Sequence, residues 1–312
     1  MSDSQIYAHW HKKLTTLQTQ VGNTPLVHIS QAWSKPGVEL YAKLEWEQLG
    51  QSVKIRPALR MVQEAIRQDH LKPGMHIFDL TSGNTGIAYC VIGAQLGIPV
   101  TIVMPENASE ERKTIMRAMG GELILLDAEM TSDEVFEYTQ HLAEERADKY
   151  CYLNQFDNPA NWKSHYDGTG VEIYKQSKGR VTHFVSSLGT CGTFTGTARF
   201  FHDQHPHVQC IGLHPNQADH ELEGWKHLAT SRHPLIYDSS LAHQHELVTS
   251  EEARYWIQEV ARLEGLLLSP SSAGALAGAI KVAENLDSGV VVTIFPDDAS
   301  KYGALYQQLY QS

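Results

Sequence analysis

The chain has 312 residues, 42% of them hydrophobic and 20% charged, which is the composition of a globular protein with room for about two domains. Its formal net charge of −11 argues against nucleic acid or any other partner with a phosphate backbone. No stretch approaches the ~18 apolar residues of a membrane span and the first residues lack the apolar centre of a signal peptide, so we expect a cytoplasmic protein that binds no membrane.

Short apolar runs alternate with amphipathic stretches along most of the chain, a pattern typical of parallel sheets covered by helices. Strands are predicted at residues 38–44, 76–80, 100–104, 123–126, 183–186, 209–213 and 290–295. Helices are predicted at residues 58–68, 85–96, 110–119, 133–145, 193–202, 250–264 and 273–284. The run at 290–295 is apolar almost throughout, which predicts a central strand buried on both faces. Residues 216–240, rich in His and Asp and without periodicity, predict a long surface loop.

The cysteines and histidines do not predict a metal site. The four cysteines contain no C-x-x-C pair, and free thiols suit a reducing compartment. Of the 17 histidines, His202, His205 and His207 lie near Cys210 in the sequence, but their spacing matches no zinc pattern. We interpret these histidines as surface residues.

A lysine, Lys54, precedes the predicted helix 58–68 by a few residues. Near the positive end of a helix dipole an amine is more easily held neutral, and a neutral amine is the form that attacks a carbonyl carbon. Taken alone, a lysine at this place is more often a solvated surface residue.

Two glycine-containing segments lie between a predicted strand and a predicted helix and have the composition of anion-binding loops. They are TSGNTG at residues 81–86 and SLGTCGT at residues 187–193. Glycine lets the backbone approach an anion, and the first N–H groups of the following helix favour its charge. The alternative for the first segment is an ordinary capped turn. The second segment is neither a Walker loop nor a dinucleotide fingerprint.

A fourth segment, SPSSAGA at residues 269–275, opens a predicted helix. By itself it predicts only a capped helix start.

Taken together and in this order, the four segments resemble the cysteine synthases, pyridoxal-phosphate (PLP) enzymes of the tryptophan-synthase-β fold type. The resemblance also includes residues 21–27, 104–107, 154–161 and 165–172, and it therefore covers nearly the whole chain. It implies an α/β fold of two domains, each with a mainly parallel twisted sheet flanked by helices, with PLP in the cleft between them. We expect a smaller domain at 49–153, a larger domain formed by 1–48 and 154–312, and a homodimer.

The resemblance also implies roles for individual residues. Lys54 would hold PLP as a Schiff base and move the substrate's α-proton, Asn84 would bond the phenolic oxygen of PLP, and Ser272 would face its pyridine nitrogen. The expected phosphate ligands are Gly189, Thr190, Cys191, Gly192 and Thr193. The expected substrate ligands are Thr81, Ser82, Thr85 and Gln155, which would bind the carboxylate, and Lys226, a basic residue similar to one in the B-type enzymes. A hydroxyl at Ser272 does not keep the pyridine nitrogen protonated, which favours loss of a β leaving group.

The implied reaction is β-replacement on an activated serine, either O-acetylserine or O-phosphoserine, by a sulfur nucleophile to give L-cysteine. Three alternatives stay open: replacement by a nitrogen nucleophile, β-elimination as in the dehydratases, and a PLP-binding protein without turnover that acts through a protein partner. Family members usually have Gly, Asp and Gly where this chain has Gln51, Ile55 and Ala273. These departures leave the acceptor and the sulfur donor undecided.

Overall fold

The computed structural model describes residues 2–311, in which strands and helices alternate. The strands are β1 (Leu26–His28), β2 (Val38–Leu44), β3 (His76–Leu80), β4 (Val100–Pro105), β5 (Glu122–Leu126), β6 (Tyr150–Tyr152), β7 (His183–Ser187), β8 (Gln209–Pro215), β9 (Gln244–Val248) and β10 (Gly289–Phe295). The α-helices are α1 (Asp3–Gln18), α2 (Ile55–Arg67), α3 (Asn84–Leu96), α4 (Glu110–Ala118), α5 (Ser132–Glu145), α6 (Pro159–Ser164), α7 (Val171–Gln176), α8 (Gly192–Gln204), α9 (Ser250–Leu263), α10 (Pro270–Glu284) and α11 (Gly303–Tyr310).

The chain divides into two compact units. The first consists of the residues up to Gly22 together with Lys54–Asn161, and the second of Asn23–Val53 together with the residues from Trp162 onward. The expected smaller domain, 49–153, has similar limits but leaves out the N-terminal helix. In the structure α1 packs within the first unit, where Trp10 Nε1 donates a hydrogen bond of 3.0 Å to the carbonyl oxygen of Leu96.

The first unit contains a four-stranded sheet in the order β5-β4-β3-β6, and all of its strands are parallel. Strand β3 is therefore central, and its apolar residues Ile77 and Phe78 are fully buried. The carboxyl end of β3 leads directly into residues 81–86. This is the position at which ligands bind in open parallel sheets.

The second unit contains a six-stranded sheet in the order β1-β2-β10-β7-β8-β9. All neighbouring strands are parallel except β1 and β2. Strand β10 pairs with strands on both sides, and Val290–Phe295 are buried, as the apolar run predicts. Helix α10 is buried along most of its length, because its many Ala and Gly residues allow close packing.

Each predicted strand and helix is present, with ends that differ by three residues at most. The strands and α-helices that were not predicted are mostly short: α1, β1, β6, α6, α7, β9 and α11. The long loop is irregular as predicted, with only one short 3-10 turn at Ser239–Leu241. The prediction that it lies on the surface is wrong for Leu222, Trp225 and Leu228, which are buried, although Leu235 is exposed. None of the helices within residues 2–311 combines the length and apolar character that crossing a bilayer requires.

Candidate active site

The longer helices begin in two different ways. Five helices of nine residues or more are preceded by a Ser or Thr whose hydroxyl accepts a bond from a backbone N–H of the first turn, namely Ser2, Ser109, Thr131, Thr249 and Ser269. The other three, α2, α3 and α8, follow Lys54, Gly83 and Cys191, and none of these makes a side-chain cap within the described residues. An uncapped first turn presents N–H groups to an anion. Three of the four predicted segments lie at these three helix starts.

Lys54 is half-buried and stands immediately before the first turn of α2, where its carbonyl oxygen accepts a hydrogen bond from the N–H of Ala58. The residues before it are held in the second unit: Val53 N–H donates to the carbonyl of Pro296, and Lys301 Nζ donates to the carbonyl of Gln51. The departure at Ile55 is a fully buried core residue of α2. The backbone on both sides of Lys54 is thus fixed by hydrogen bonds.

Residues 81–86 connect β3 to α3, and their glycines are required by close packing. A Cβ on Gly83 would lie 2.8 Å from Cδ and 3.0 Å from Nε of the buried Arg112, and a Cβ on Gly86 would lie 3.0 Å from Cγ2 of Thr81. The N–H of Gly83 donates to Oγ1 of Thr81 at 3.1 Å. Thr81 is buried and Ser82 is exposed. The loop is therefore compact, and a guanidinium group lies against its backbone.

Gln155 joins this loop from another part of the first unit. Its Oε1 accepts a bond of 2.7 Å from Thr85 Oγ1, and its Nε2 donates a bond of 2.7 Å to the carbonyl of Leu80. Asn161 Nδ2 donates to the backbone carbonyl of Gln155 at 2.6 Å. The structure thus brings together Thr81, Thr85 and Gln155, three of the residues expected to bind a carboxylate.

Two residues behind this loop, Asp79 and Tyr89, were not predicted from the sequence. The carboxylate of Asp79 is fully buried and accepts a bond of 2.7 Å from Tyr89 Oη. Burial raises the pKa of Asp79 to about 7, although Tyr89 and two backbone N–H groups oppose the shift. Burial, together with Asp79, raises the pKa of Tyr89 well above its usual value, so its hydroxyl stays a donor. The signal in the sequence was an acidic residue inside the apolar strand HIFDL.

Residues 187–193 form the corresponding loop of the second unit, between β7 and α8. Cys191, the residue before α8, has φ +67, a left-handed conformation that is uncommon for a residue with a side chain. Burial raises the pKa of its thiol to about 12, so the thiol stays protonated at neutral pH and is not an activated nucleophile. The N–H of Gly192 approaches Thr190 Oγ1 at 3.5 Å, and Thr193 Oγ1 lies 3.4 Å from Nε2 of His165.

Residues 222–226, which we call the covering segment, pack on this loop. The N–H of Lys226 donates a bond of 2.7 Å to the carbonyl of Leu188, and a Cβ on Gly189 would overlap the carbonyl oxygen of Gly224. Lys226 is half-buried, and its positive charge opposes the rise of the pKa of Cys191. The expected basic residue is therefore close to the loop that is expected to bind phosphate.

The same covering segment also contacts the start of α10. A Cβ on Gly274 would lie 3.1 Å from Cδ2 of Leu222 and 3.2 Å from Cζ2 of Trp225. Residues 187–193 and the start of α10 are thus packed together through residues 222–226. Ala273, one of the departures from the family pattern, is fully buried in this packing.

Ser272 is fully buried and its hydroxyl is already bonded on two sides. It donates a bond of 2.6 Å to the carbonyl of Asp297 and accepts one of 3.0 Å from Ser269 Oγ. One acceptor position of the hydroxyl remains. To donate a bond to a pyridine nitrogen, the hydroxyl would have to rotate away from the Asp297 carbonyl. Within residues 2–311 no group of three or more His, Cys, Asp or Glu residues could hold a metal ion.

Comparison with known proteins gives consistent matches over nearly the whole chain. The family described as "Pyridoxal-phosphate dependent enzyme" matches residues 17–297. A cysteine synthase from Aquifex aeolicus is 42% identical over 94% of this chain and 92% of its own length. Cysteine synthase B from Escherichia coli is 40% identical over 93% of this chain and 94% of its own. The crystal structure of cysteine synthase from Entamoeba histolytica, 31% identical, superposes with a TM-score of 0.88 over 95% of this chain and 90% of that one. The similarity of the structures confirms the predicted fold class.

Proposed function

We propose β-replacement on an activated serine by a sulfur nucleophile, giving L-cysteine, as the reaction of this chain, which belongs to the pyridoxal-phosphate-dependent enzyme family. The observation that carries the proposal is the match to cysteine synthases over more than nine-tenths of both chains. The chain is thus a PLP-dependent enzyme, and the alternative of a binding protein without turnover is not supported. We propose O-acetylserine as the acceptor, in line with the structural relative from Entamoeba histolytica, an O-acetylserine sulfhydrylase (OASS).

The donor groups of the chain fit the cofactor. PLP needs a lysine for its aldehyde, hydrogen-bond donors for its phosphate and a polar partner for its ring nitrogen. Lys54 would supply the amine, and Asn84, at the first turn of α3, would bond the phenolic oxygen. Ser272 would face the ring nitrogen. The phosphate would be held by the backbone and hydroxyl groups of Gly189, Thr190, Cys191, Gly192 and Thr193 at the uncapped start of α8.

Thr81, Ser82, Thr85 and Gln155 would bind the carboxylate of the substrate. Two features support this role: the uncapped start of α3 and the buried guanidinium group of Arg112 behind Gly83, which both favour a negative charge. The hydroxyl of Thr85 already donates its hydrogen bond to Oε1 of Gln155. The second hydrogen of Gln155 Nε2 is therefore the side-chain donor best placed for a carboxylate oxygen.

Lys54 would also be the base. When bound, PLP supplies an electron sink that makes the α-proton of the amino acid removable. Lys54 Nζ would take this proton, which requires the neutral amine. Partial burial and the positive end of α2 both favour that neutral form.

We further propose a cytoplasmic homodimer with a smaller domain at 49–153. All four cysteines are free and buried, which suits a reducing compartment. A mass measurement in solution tests the dimer.

The direct test of the function has two parts. Borohydride reduction makes the bond between cofactor and lysine permanent, and peptide mapping should then place the label on Lys54. The purified enzyme, given O-acetylserine and sulfide, should form L-cysteine. A label on another lysine would refute the assignment, whereas formation of pyruvate without cysteine would indicate β-elimination.

A further inference from the structure

The carboxylate of Asp79 connects three segments of the first unit. Its Oδ2 accepts a bond of 2.7 Å from Tyr89 Oη on α3 and one of 3.1 Å from the N–H of Gln155, and its Oδ1 accepts a bond of 2.9 Å from the N–H of Leu80. The side chain has no solvent-accessible surface. A carboxylate at such a place costs free energy unless donors surround it, and here three donors do.

These bonds close a ring around the start of residues 81–86. Asp79 holds the N–H of Gln155 and the N–H of Leu80, while Nε2 of Gln155 holds the carbonyl of Leu80. The backbone and the side-chain amide of Gln155 are therefore both fixed relative to the last residues of β3. Thr85 completes the arrangement through its bond to Gln155 Oε1.

We propose that Asp79, supported by Tyr89, is a positioning residue that fixes the amide of Gln155 for the substrate's carboxylate. The inference rests on the proposed function, which makes Gln155 a carboxylate ligand. Asp79 itself does not touch the substrate. Tyr89 Oη is the third donor to the buried carboxylate, and without it the charge of Asp79 would be left with the two backbone N–H groups alone.

The test compares substrate binding with cofactor binding in the holoenzyme. Tyr89→Phe removes one donor and keeps the packing of the ring, and Asp79→Asn keeps the size of the side chain. Both variants should raise KM for O-acetylserine, Tyr89→Phe by about tenfold and Asp79→Asn by more, while kcat stays within about twofold. The Kd for PLP should not change, because neither residue is expected to contact the cofactor.

Tyr150→Phe is the matched control, since Tyr150, on β6, is another buried tyrosine of the first unit. It should leave KM unchanged. The inference would be overturned if Tyr89→Phe left KM unchanged, or if it lowered kcat and PLP affinity in parallel with the rise in KM, which is the pattern of general loosening. If the wild-type enzyme makes no cysteine from O-acetylserine, the proposed function fails instead. In that case, the binding of L-serine to wild type, Tyr89→Phe and Asp79→Asn, measured through the absorbance of the cofactor, tests the positioning role separately.

Discussion

Helices α5 and α8 both follow a strand, yet their first turns are built differently. Thr131 caps α5 by accepting a bond from the N–H of Glu134, and the Glu134 carboxylate accepts one of 2.7 Å from the N–H of Thr131. Helix α8 begins after Cys191, whose side chain gives no such bond. A capped turn satisfies its own N–H groups and stabilises the fold, whereas an uncapped turn keeps them available for a ligand.

The start of α10 combines the two arrangements. Ser269 caps it by accepting a bond from the N–H of Ser272, so the backbone has less to offer a ligand there. The group expected to face the cofactor at this helix is accordingly a side chain, the hydroxyl of Ser272. The comparison predicts that changes at uncapped starts affect ligand binding, while changes at capped starts affect stability alone.

The largest effect is expected at Gly189. In Gly189→Ala the new methyl group would overlap the backbone carbonyl of Gly224, so the covering segment must move away from residues 187–193, the loop proposed to bind phosphate. We expect PLP affinity to fall by an amount on the order of 2–3 kcal/mol, or roughly one hundredfold. Gly303→Ala, in open space at the start of α11, is the control and should bind PLP normally. Equal PLP affinity of both variants, measured by cofactor absorbance after dialysis, would contradict the packing argument.

The next effect concerns Asp79, the carboxylate behind the uncapped start of α3, and the pH dependence of the free energy of unfolding. Burial raises the pKa of Asp79 to about 7, and the neighbouring charge of Asp157 acts in the same direction. An unfolded Asp has a pKa of about 3.9, so between these values the folded protein holds a proton that the unfolded chain has lost. This group therefore lowers the free energy of unfolding as pH rises from about 4 to about 7.

Asp79→Asn removes that dependence. Relative to wild type, the variant should gain about 2 kcal/mol of unfolding free energy between about pH 5 and about pH 8, measured by urea titration. Asp148→Asn, at an exposed side chain, should show no such trend. If the difference in unfolding free energy between Asp79→Asn and wild type stayed constant across this pH range, Asp79 would have an ordinary pKa.

A smaller effect is expected at Lys226, which adds a positive charge near the uncapped start of α8. The phosphate ester of O-phosphoserine carries close to two negative charges at neutral pH, whereas the acetyl ester of O-acetylserine carries none. Lys226→Ala should therefore lower kcat/KM about tenfold for O-phosphoserine and leave the value for O-acetylserine nearly unchanged. Lys175→Ala, at an exposed lysine, is the control. Equal losses for both acceptors would show that Lys226 only shapes the covering segment.

The smallest effect is expected at a capped start. Thr131→Ala should cost about 1 kcal/mol of stability, because both bonds of the Thr131 hydroxyl are lost: the one it accepts from the N–H of Glu134 and the one it donates to the Glu134 carboxylate. PLP affinity and kcat/KM should stay as in wild type. A change in either would show that capped and uncapped starts do not have separate roles.

The sequence predicted the regular elements well because their patterns are local. Strand β2 and strand β3 have their predicted bounds, since an apolar run between turn residues defines a buried strand. Strands β1 and β6, of three residues each, are too short for any periodicity. The loops at 81–86 and 187–193 were predicted because glycine and hydroxyl residues are visible in the sequence.

Packing across long stretches of sequence could not be predicted. Nothing local indicates that Arg112 lies against Gly83, or that Gly224 lies on Gly189. The same is true of Asp79 and Gln155, which are 76 residues apart. These contacts depend on how the sheets are ordered, and the roles of the site residues stay predictions until they are measured.

The four buried cysteines are also natural probes of local opening in this protein. Burial raises the pKa of each thiol to about 12, so an alkylating reagent reacts with them only when the surrounding structure opens. Cys90 and Cys151 belong to the first unit, and Cys191 and Cys210 to the second. The labelling rate of each pair, followed by mass spectrometry, therefore gives the opening frequency of each half separately, without any engineered probe.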